Sequence, residues 1–142
     1  MQHPKLTVAV VFAAANMFVI GPVLAMSMSN LPPEETQGAV TYRTGGVGET
    51  EATAMRQAES NYPLSLEFIQ RAHPRNEFLA YVDVTIRDHA GNAMLNTYSD
   101  GPLLLAKLPE GSYTVTATDE GKTETQHVTL AAGKPQHLVF AW

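Results

Sequence analysis

The sequence contains no cysteine. Its absence excludes a disulfide scaffold, a thiolate metal site, a cysteine nucleophile and a lipid-anchored cysteine. Basic residues are also scarce, since 9 Lys and Arg stand against 14 Asp and Glu and give a formal charge of −5. This balance argues against a protein that binds nucleic acid by neutralising phosphates. A length of 142 residues leaves room for one domain and a leader, but little room for two domains.

The first 25 residues have the pattern of a secretory signal peptide. Residues 1–5 carry one positive charge, residues 6–20 are almost entirely apolar, and Gly21-Pro22 breaks any helix there. An apolar run of this length is short for a membrane span of about 20 residues. We therefore predict cleavage after Ala25, with no stable membrane anchor afterwards. Export without cysteine favours a bacterial periplasmic or secreted location.

The remaining chain predicts a flexible tether over residues 26–37 and one domain over residues 38–142. Within residues 38–71, alternating apolar residues predict strands at 39–43 and 64–68. A helix over residues 49–61 is predicted because apolar side chains recur on one side of it, namely Val47, Ala54, Met55, Ala58 and Tyr62. This order is compatible with a βαβ-like unit or with a helix that covers a sheet.

Residues 78–142 predict β-structure almost throughout. Alternation from 78 to 87 predicts one strand with Phe78, Val82 and Ile86 facing inward. Residues 103–108 are apolar without alternation, which is consistent with a strand buried on both sides. Further inward positions are Tyr113, Val115, Ala117, Val128, Leu130, Leu138, Phe140 and Trp142. Turn signals every 8–12 residues predict a mainly β fold, an antiparallel β-sandwich with one helix near the N-terminus of the mature chain.

Residues 88–117 read D-x-x-G-N-A-x-L-x-x-x-S-D-G-P, then five residues, then L-P-E-G-S-Y-T-V-T-A. This stretch resembles the carboxypeptidase regulatory-like domain, a transthyretin-like (prealbumin-like) β-sandwich, and the resemblance covers about residues 79–142. That family takes its name from its occurrence beside metallocarboxypeptidase catalytic domains and carries no peptidase chemistry itself.

A narrower resemblance covers almost all of the chain after the leader. The stretches Y-R-T-G-G-V-G-E-T-E-A-T-A-M and Y-P-L-S-L-E-F, with the C-terminal Trp142, are similar to a group of small exported proteobacterial proteins. No activity is assigned to that group, so the resemblance implies fold and location but no mechanism.

Two histidines are the candidate metal ligands. If residues 131–133 form a three-residue loop, Leu130 pairs with Lys134 and His127 falls directly opposite His137. Two imidazoles about 5 Å apart at Cβ form half of a zinc or copper site. No third ligand is evident on the same face.

Other motifs carry weaker signals. The glycine-rich turn at residues 45–48 precedes a helix, but it lacks the Lys-Ser/Thr of a phosphate loop, and Glu49 and Glu51 repel an anion. We interpret it as a sharp strand-to-helix turn. His73 and His89 are interpreted as ordinary loop residues. Hydroxyisourate hydrolase, the enzyme of the transthyretin-like fold, needs a His/Arg/His cluster and ends in Y-R-G-S, whereas this chain ends in V-F-A-W.

The sequence therefore predicts a non-enzymatic exported β-sandwich module with no catalytic residue and no cofactor. It would act by binding or structural support, with an envelope protein or ligand as its partner. The alternative is a periplasmic metal-binding protein that uses His127 and His137. A small hydrolase of unrecognised type is a lower alternative, because no G-x-S-x-G, H-E-x-x-H or paired-carboxylate pattern appears.

Overall fold

A computed structural model describes residues 30–142, which form two β-sheets and one short helix. The predicted signal peptide lies outside the described residues, as do the first four residues of the predicted tether. The helix α1 spans Glu49–Ala58 and continues into a 3-10 turn at Glu59–Asn61. No helix within residues 30–142 is both long and apolar enough to cross a membrane.

The prediction of a mainly β fold is confirmed. The strands are β1 Glu35–Gln37, β2 Val40–Gly45, β3 Leu64–Gln70, β4 Glu77–Phe78, β5 Val82–Asp88, β6 Ala93–Ser99, β7 Leu103–Lys107, β8 Gly111–Asp119, β9 Lys122–Leu130 and β10 Gln136–Ala141. The first sheet, sheet A, has the order β1-β2-β7-β3-β10, and the short strand β4 pairs with the end of β3. The second sheet, sheet B, has the order β6-β5-β8-β9.

The sheets pack face to face because their longer strands present alternate apolar side chains to the other sheet. Phe68 and Phe140 are fully buried at the centre, with ring centroids 5.9 Å apart. The predicted inward positions on β8 and β9 are buried, and Leu138 and Trp142 pack partly buried against the same core.

The central strand β7 is buried on both faces, as its uninterrupted apolar run predicts. Leu104 and Ala106 belong to the core between the sheets, whereas Leu103 and Leu105 face outward against α1. The helix contributes Met55, Ala58 and the following Tyr62 to this second cluster, but Val47 is 63% exposed, contrary to prediction. Its exposure follows from the turn, since Val47 precedes the helix and stands between two positive-φ glycines.

The sandwich is not wholly antiparallel. Strand β10 pairs in parallel with β3 from Gln136 opposite Leu64 to Ala141 opposite Ile69. The β2–α1–β3 segment is a crossover over sheet A, with β7 hydrogen-bonded between β2 and β3. The helix thus covers a sheet while joining two parallel strands.

The predicted strand over residues 78–87 is interrupted. Tyr81 adopts a left-handed backbone with φ of 59°, which separates β4 from β5. Phe78 consequently pairs with Ile69 in sheet A and is 64% exposed instead of facing the core. The predicted alternation holds in β5 but not before Tyr81, where Leu79 and not Phe78 packs against the core.

The prediction of a flexible tether is wrong for Glu35–Gln37, which form β1 against β2. The side chain of Gln37 also crosses to sheet B. Its Oε1 accepts from the backbone N–H of Asn96 (2.7 Å), and its Nε2 donates to the Asn96 carbonyl (3.1 Å). One carboxamide thus pairs with the free edge of β6 as a strand would.

Replacing Gln37 with Ala tests this corner. We expect the free energy of unfolding to fall by about 1–2 kcal/mol, because two hydrogen bonds to one edge residue are lost. The Thr36 side chain on the same strand makes no such bonds within residues 30–142, so Thr36→Ala should cost less than about 0.5 kcal/mol. Urea denaturation measures both values, and an equal loss in the two variants would contradict the role of Gln37.

Candidate functional site

The structure separates the two predicted metal ligands. His127 lies on β9 opposite Thr114 in sheet B, whereas His137 lies on β10 opposite Ser65 in sheet A. The chain does turn here, but Lys134 bridges Ala131 and not the predicted Leu130, and the strands diverge after that single bridge. The hairpin register was wrong because β10 pairs with β3 and not with β9.

His137 instead lies in a polar cluster beside the end of α1. Its Nδ1 is 2.8 Å from Ser65 Oγ, and its Nε2 is 3.3 Å from Glu67 Oε2. Glu59 Oε2 is 3.8 Å from His137 Nδ1, and Arg56 donates to Glu67 Oε1 at 2.8 Å. The hydrogen bond to Glu67 raises the pKa of Arg56. The cluster therefore ties the end of the helix to sheet A.

The chemistry open to this cluster is limited by access. Ser65, His137 and Glu67 stand in the order nucleophile, base, acid, but Ser65 is only 3% exposed. Glu59 and Glu67 approach opposite nitrogens of the imidazole, so they do not converge on one position. Within residues 30–142, no group of three or more His, Asp or Glu side chains has the arrangement needed to hold a metal ion.

A side chain of the helix already bonds the backbone of the glycine-rich turn before α1. Glu51 Oε1 accepts from the backbone N–H of Gly46 at 2.8 Å, where an anion would otherwise sit. Gly48 ends the turn with φ of 83°. This arrangement supports the structural interpretation of the turn. His73 and His89 lie at exposed positions between strands.

Three residues that carry the family resemblance have clear structural roles at turns or close backbone contacts. Asp88 Oδ1 accepts from the backbone N–H groups of Ala90 and Asn92, and these bonds, led by that from Asn92, hold its pKa below the ordinary value. Gly101 lies so close to the Gly45 carbonyl that a Cβ would clash. Tyr113 is buried and donates its hydroxyl to the Pro109 carbonyl at 2.6 Å, as its position at the start of a strand predicts.

The outer face of sheet B carries an ordered array of hydroxyl side chains, which we call the hydroxyl face. Four directly opposed pairs line β8 and β9, with side-chain distances of 2.8–3.4 Å. The pairs are Ser112–Thr129, Thr114–His127, Thr116–Thr125 and Thr118–Thr123. Adjacent pairs lie about 6.7 Å apart along the strands, and the two strands about 4.8 Å apart.

The hydroxyl face continues across β5 and β6. Thr85 lies between Thr116 and Asn96, and Asp83 lies between Thr118 and Tyr98. Arg87 completes β5. Tyr98 is 63% exposed at the outer edge of this face. Among the described residues at the outward positions of these four strands, Asp83 and Arg87 alone carry formal charge, so the face is polar and nearly neutral.

A groove of about 450 Å³ lies at the end of the sandwich formed by the β7–β8 and β9–β10 turns. Its floor includes the largely buried Leu108 and Leu130, and its rim includes Glu110 and Lys134. Glu110 already accepts the backbone N–H of Ala132 at 2.9 Å. This carboxylate therefore holds the β9–β10 turn.

The chain matches no protein-family model and no curated protein.

Sequence reasoning missed both the hydroxyl face and the His137 cluster. The face had a signal in the T-x-T pattern of two neighbouring strands, which their hairpin aligns in register. The cluster had none, because residues 59, 67 and 137 meet only through the parallel β3–β10 pairing.

A second ionic network joins the start of the described chain to sheet A. Arg43 donates to Glu34, Tyr62 and the Pro32 carbonyl at 2.6–2.7 Å, and Tyr62 donates to Glu34 at 2.9 Å. Hydrogen bonds from Tyr62 and then Arg43 hold the pKa of Glu34 below its ordinary value of 4.5.

Glu34→Gln tests the pH dependence of this network. A lowered folded-state pKa contributes stability above the ordinary pKa, and that stability is lost as pH falls through the lowered pKa. The melting temperature of the wild type should therefore exceed that of Glu34→Gln near neutral pH, and the difference in melting temperature should shrink below about pH 4.5. Melting curves across this range measure it, and a pH-independent difference would contradict the assignment.

Proposed function

We propose that the protein is a non-enzymatic, exported β-sandwich module of the carboxypeptidase regulatory-like type, located in the bacterial periplasm or outside the cell. Its partner is a component of the envelope. The export proposal rests on the leader pattern of residues 1–25. The domain-type proposal is supported by the turn-forming roles of Asp88, Gly101 and Tyr113.

The observation that carries the binding function is the difference between the two outer sheet faces. The outer face of sheet A is covered by α1 and by the network around Arg43. Neither covers the outer face of sheet B, which presents paired hydroxyls and the exposed ring of Tyr98. A surface that is polar, ordered by a sheet and left accessible suits binding by a rigid platform. We assign binding to the hydroxyl face.

Sedimentation with envelope preparations tests this assignment. Tyr98→Ala, and separately the isosteric pair Thr116→Val with Thr125→Val, should weaken binding about tenfold, as truncated contact residues do. Phe78→Ala is a matched control because Phe78 is 64% exposed but lies in sheet A. Thr53→Val on α1 is the control for the hydroxyl variants. Equal binding by all variants, or equal loss in the controls, would refute the assignment.

One observation favours the lower alternative, a small hydrolase: Ser65 is hydrogen-bonded to His137 Nδ1, and the other ring nitrogen of His137 lies 3.3 Å from Glu67 Oε2. The burial of Ser65 argues against it, since a nucleophile must reach its substrate. The metal-binding alternative loses its geometric basis, because His127 and His137 lie in different sheets.

A fluorophosphonate probe distinguishes the hydrolase from the binding module. We expect no labelling of the wild type above the Ser65→Ala background, and no ester turnover, because Ser65 is 3% exposed. Labelling that disappears in both Ser65→Ala and His137→Ala would establish Ser65 as a nucleophile and overturn the proposal.

A further inference from the structure

Two exposed tyrosines mark one corner of the hydroxyl face. Tyr98 is 63% exposed and lies opposite Asp83 on the outer side of β5–β6. Tyr81 is 75% exposed, and its backbone N–H donates to the Ser99 carbonyl at 2.7 Å. The backbone of Tyr81 therefore bonds the residue that follows Tyr98, and Tyr81 lies two residues before Asp83, the partner of Tyr98 in the β5–β6 register.

Tyr81 does not favour the stability of the fold. Its φ of 59° lies in the left-handed region, which suits Gly or Asn and strains a bulky side chain. Its ring also remains in solvent, so no burial offsets that strain. Strained residues of this kind concentrate at binding sites, where the conformation presents a side chain to a ligand.

The charge of the surface restricts the class of ligand. Asp83 and Arg87 balance each other on the hydroxyl face, although the chain as a whole carries −5. A polyanion would need a basic surface and a polycation an acidic one. An apolar peptide would need a larger apolar patch than one ring and its neighbour.

Hydroxyl groups and exposed rings together fit a sugar chain. Each Thr hydroxyl in a pair both donates and accepts, so it keeps hydrogen-bonding capacity after bonding its neighbour. An exposed aromatic ring offers a flat apolar surface to the C–H face of a pyranose, whose hydroxyls lie at its rim. The array repeats over four pairs along β8 and β9, which suits a polymer better than a single sugar.

We propose that Tyr81 and Tyr98 form the aromatic end of a binding surface for a neutral polysaccharide, which runs across the hydroxyl face. This inference rests on the proposed function, since it names the ligand class of the same face.

Affinity electrophoresis of the purified protein in gels containing soluble starch, hydroxyethyl cellulose or glucomannan tests the ligand class. At least one neutral polymer should retard the protein, whereas dextran sulfate should not. Tyr98→Ala should weaken retardation about tenfold, and the equally exposed Phe78→Ala should leave it unchanged.

The variants of Tyr81 separate binding from stability. Tyr81→Asn should raise the melting temperature, because Asn tolerates the left-handed backbone, and should also weaken binding. Tyr81→Phe keeps both the ring and the strain, so it should match the wild type in both measurements. Unchanged affinity in Tyr81→Asn would remove Tyr81 from the binding surface.

Treatment of the envelope preparation distinguishes the failure of this inference from the failure of the proposed function. If no neutral polymer retards the protein, and Tyr98-dependent envelope binding survives periodate but not protease, the partner is a protein and the polysaccharide inference is overturned. If envelope binding never depends on Tyr98, Thr116 or Thr125, the proposed function itself fails.

Discussion

The double-sided burial of β7 is the constraint on which the arrangement of this molecule depends. Leu103, Leu104, Leu105 and Ala106 are all fully buried, and each buried leucine side chain contributes about 1.5–3 kcal/mol. Because side chains alternate along a strand, the two leucines that face away from the core need a third layer. The helix α1 supplies this third layer and thereby covers the outer face of sheet A. Sheet B has no equivalent strand, so its outer face stays polar and free of the helix.

Side chains, rather than further strands, close the corners of the sandwich. At one corner Gln37 bonds both backbone groups of Asn96 on β6. At the other, Gln126 donates to the Val139 carbonyl at 2.7 Å, and the Trp142 indole donates to the Lys122 carbonyl at 2.9 Å. These contacts occupy backbone groups that an edge strand would otherwise offer to another chain. Recognition through strand addition is therefore less favoured here than recognition through a sheet face.

Local periodicity predicted most of the strands, because burial of one face imposes a period of two on the residues themselves. The inward sets on β3, β8 and β9 and the double burial of β7 followed directly from it. Periodicity does not predict which strand β10 pairs with, since a short loop after Leu130 is compatible both with a hairpin to β9 and with a move to the other sheet. The parallel pairing of β10 with β3 places Phe140 opposite Phe68, a long-range contact that local periodicity does not encode. That one pairing separated the two histidines and assembled the Ser65–His137–Glu67 cluster, so site prediction failed where strand pairing could not be predicted.

Strand propensity and ligand binding are two different physical explanations for the threonines of the hydroxyl face. Its β-branched side chain favours strands, so a half-solvated sheet accumulates threonine without any ligand. The exposed tyrosines are different, because neither β-propensity nor burial accounts for Tyr81 in a left-handed backbone at 75% exposure. Stability would favour Gly or Asn at that position. Tyr81 and Tyr98 are therefore the main support for binding at this face, and the threonines provide the rigid, hydrogen-bonding surface that extends from them.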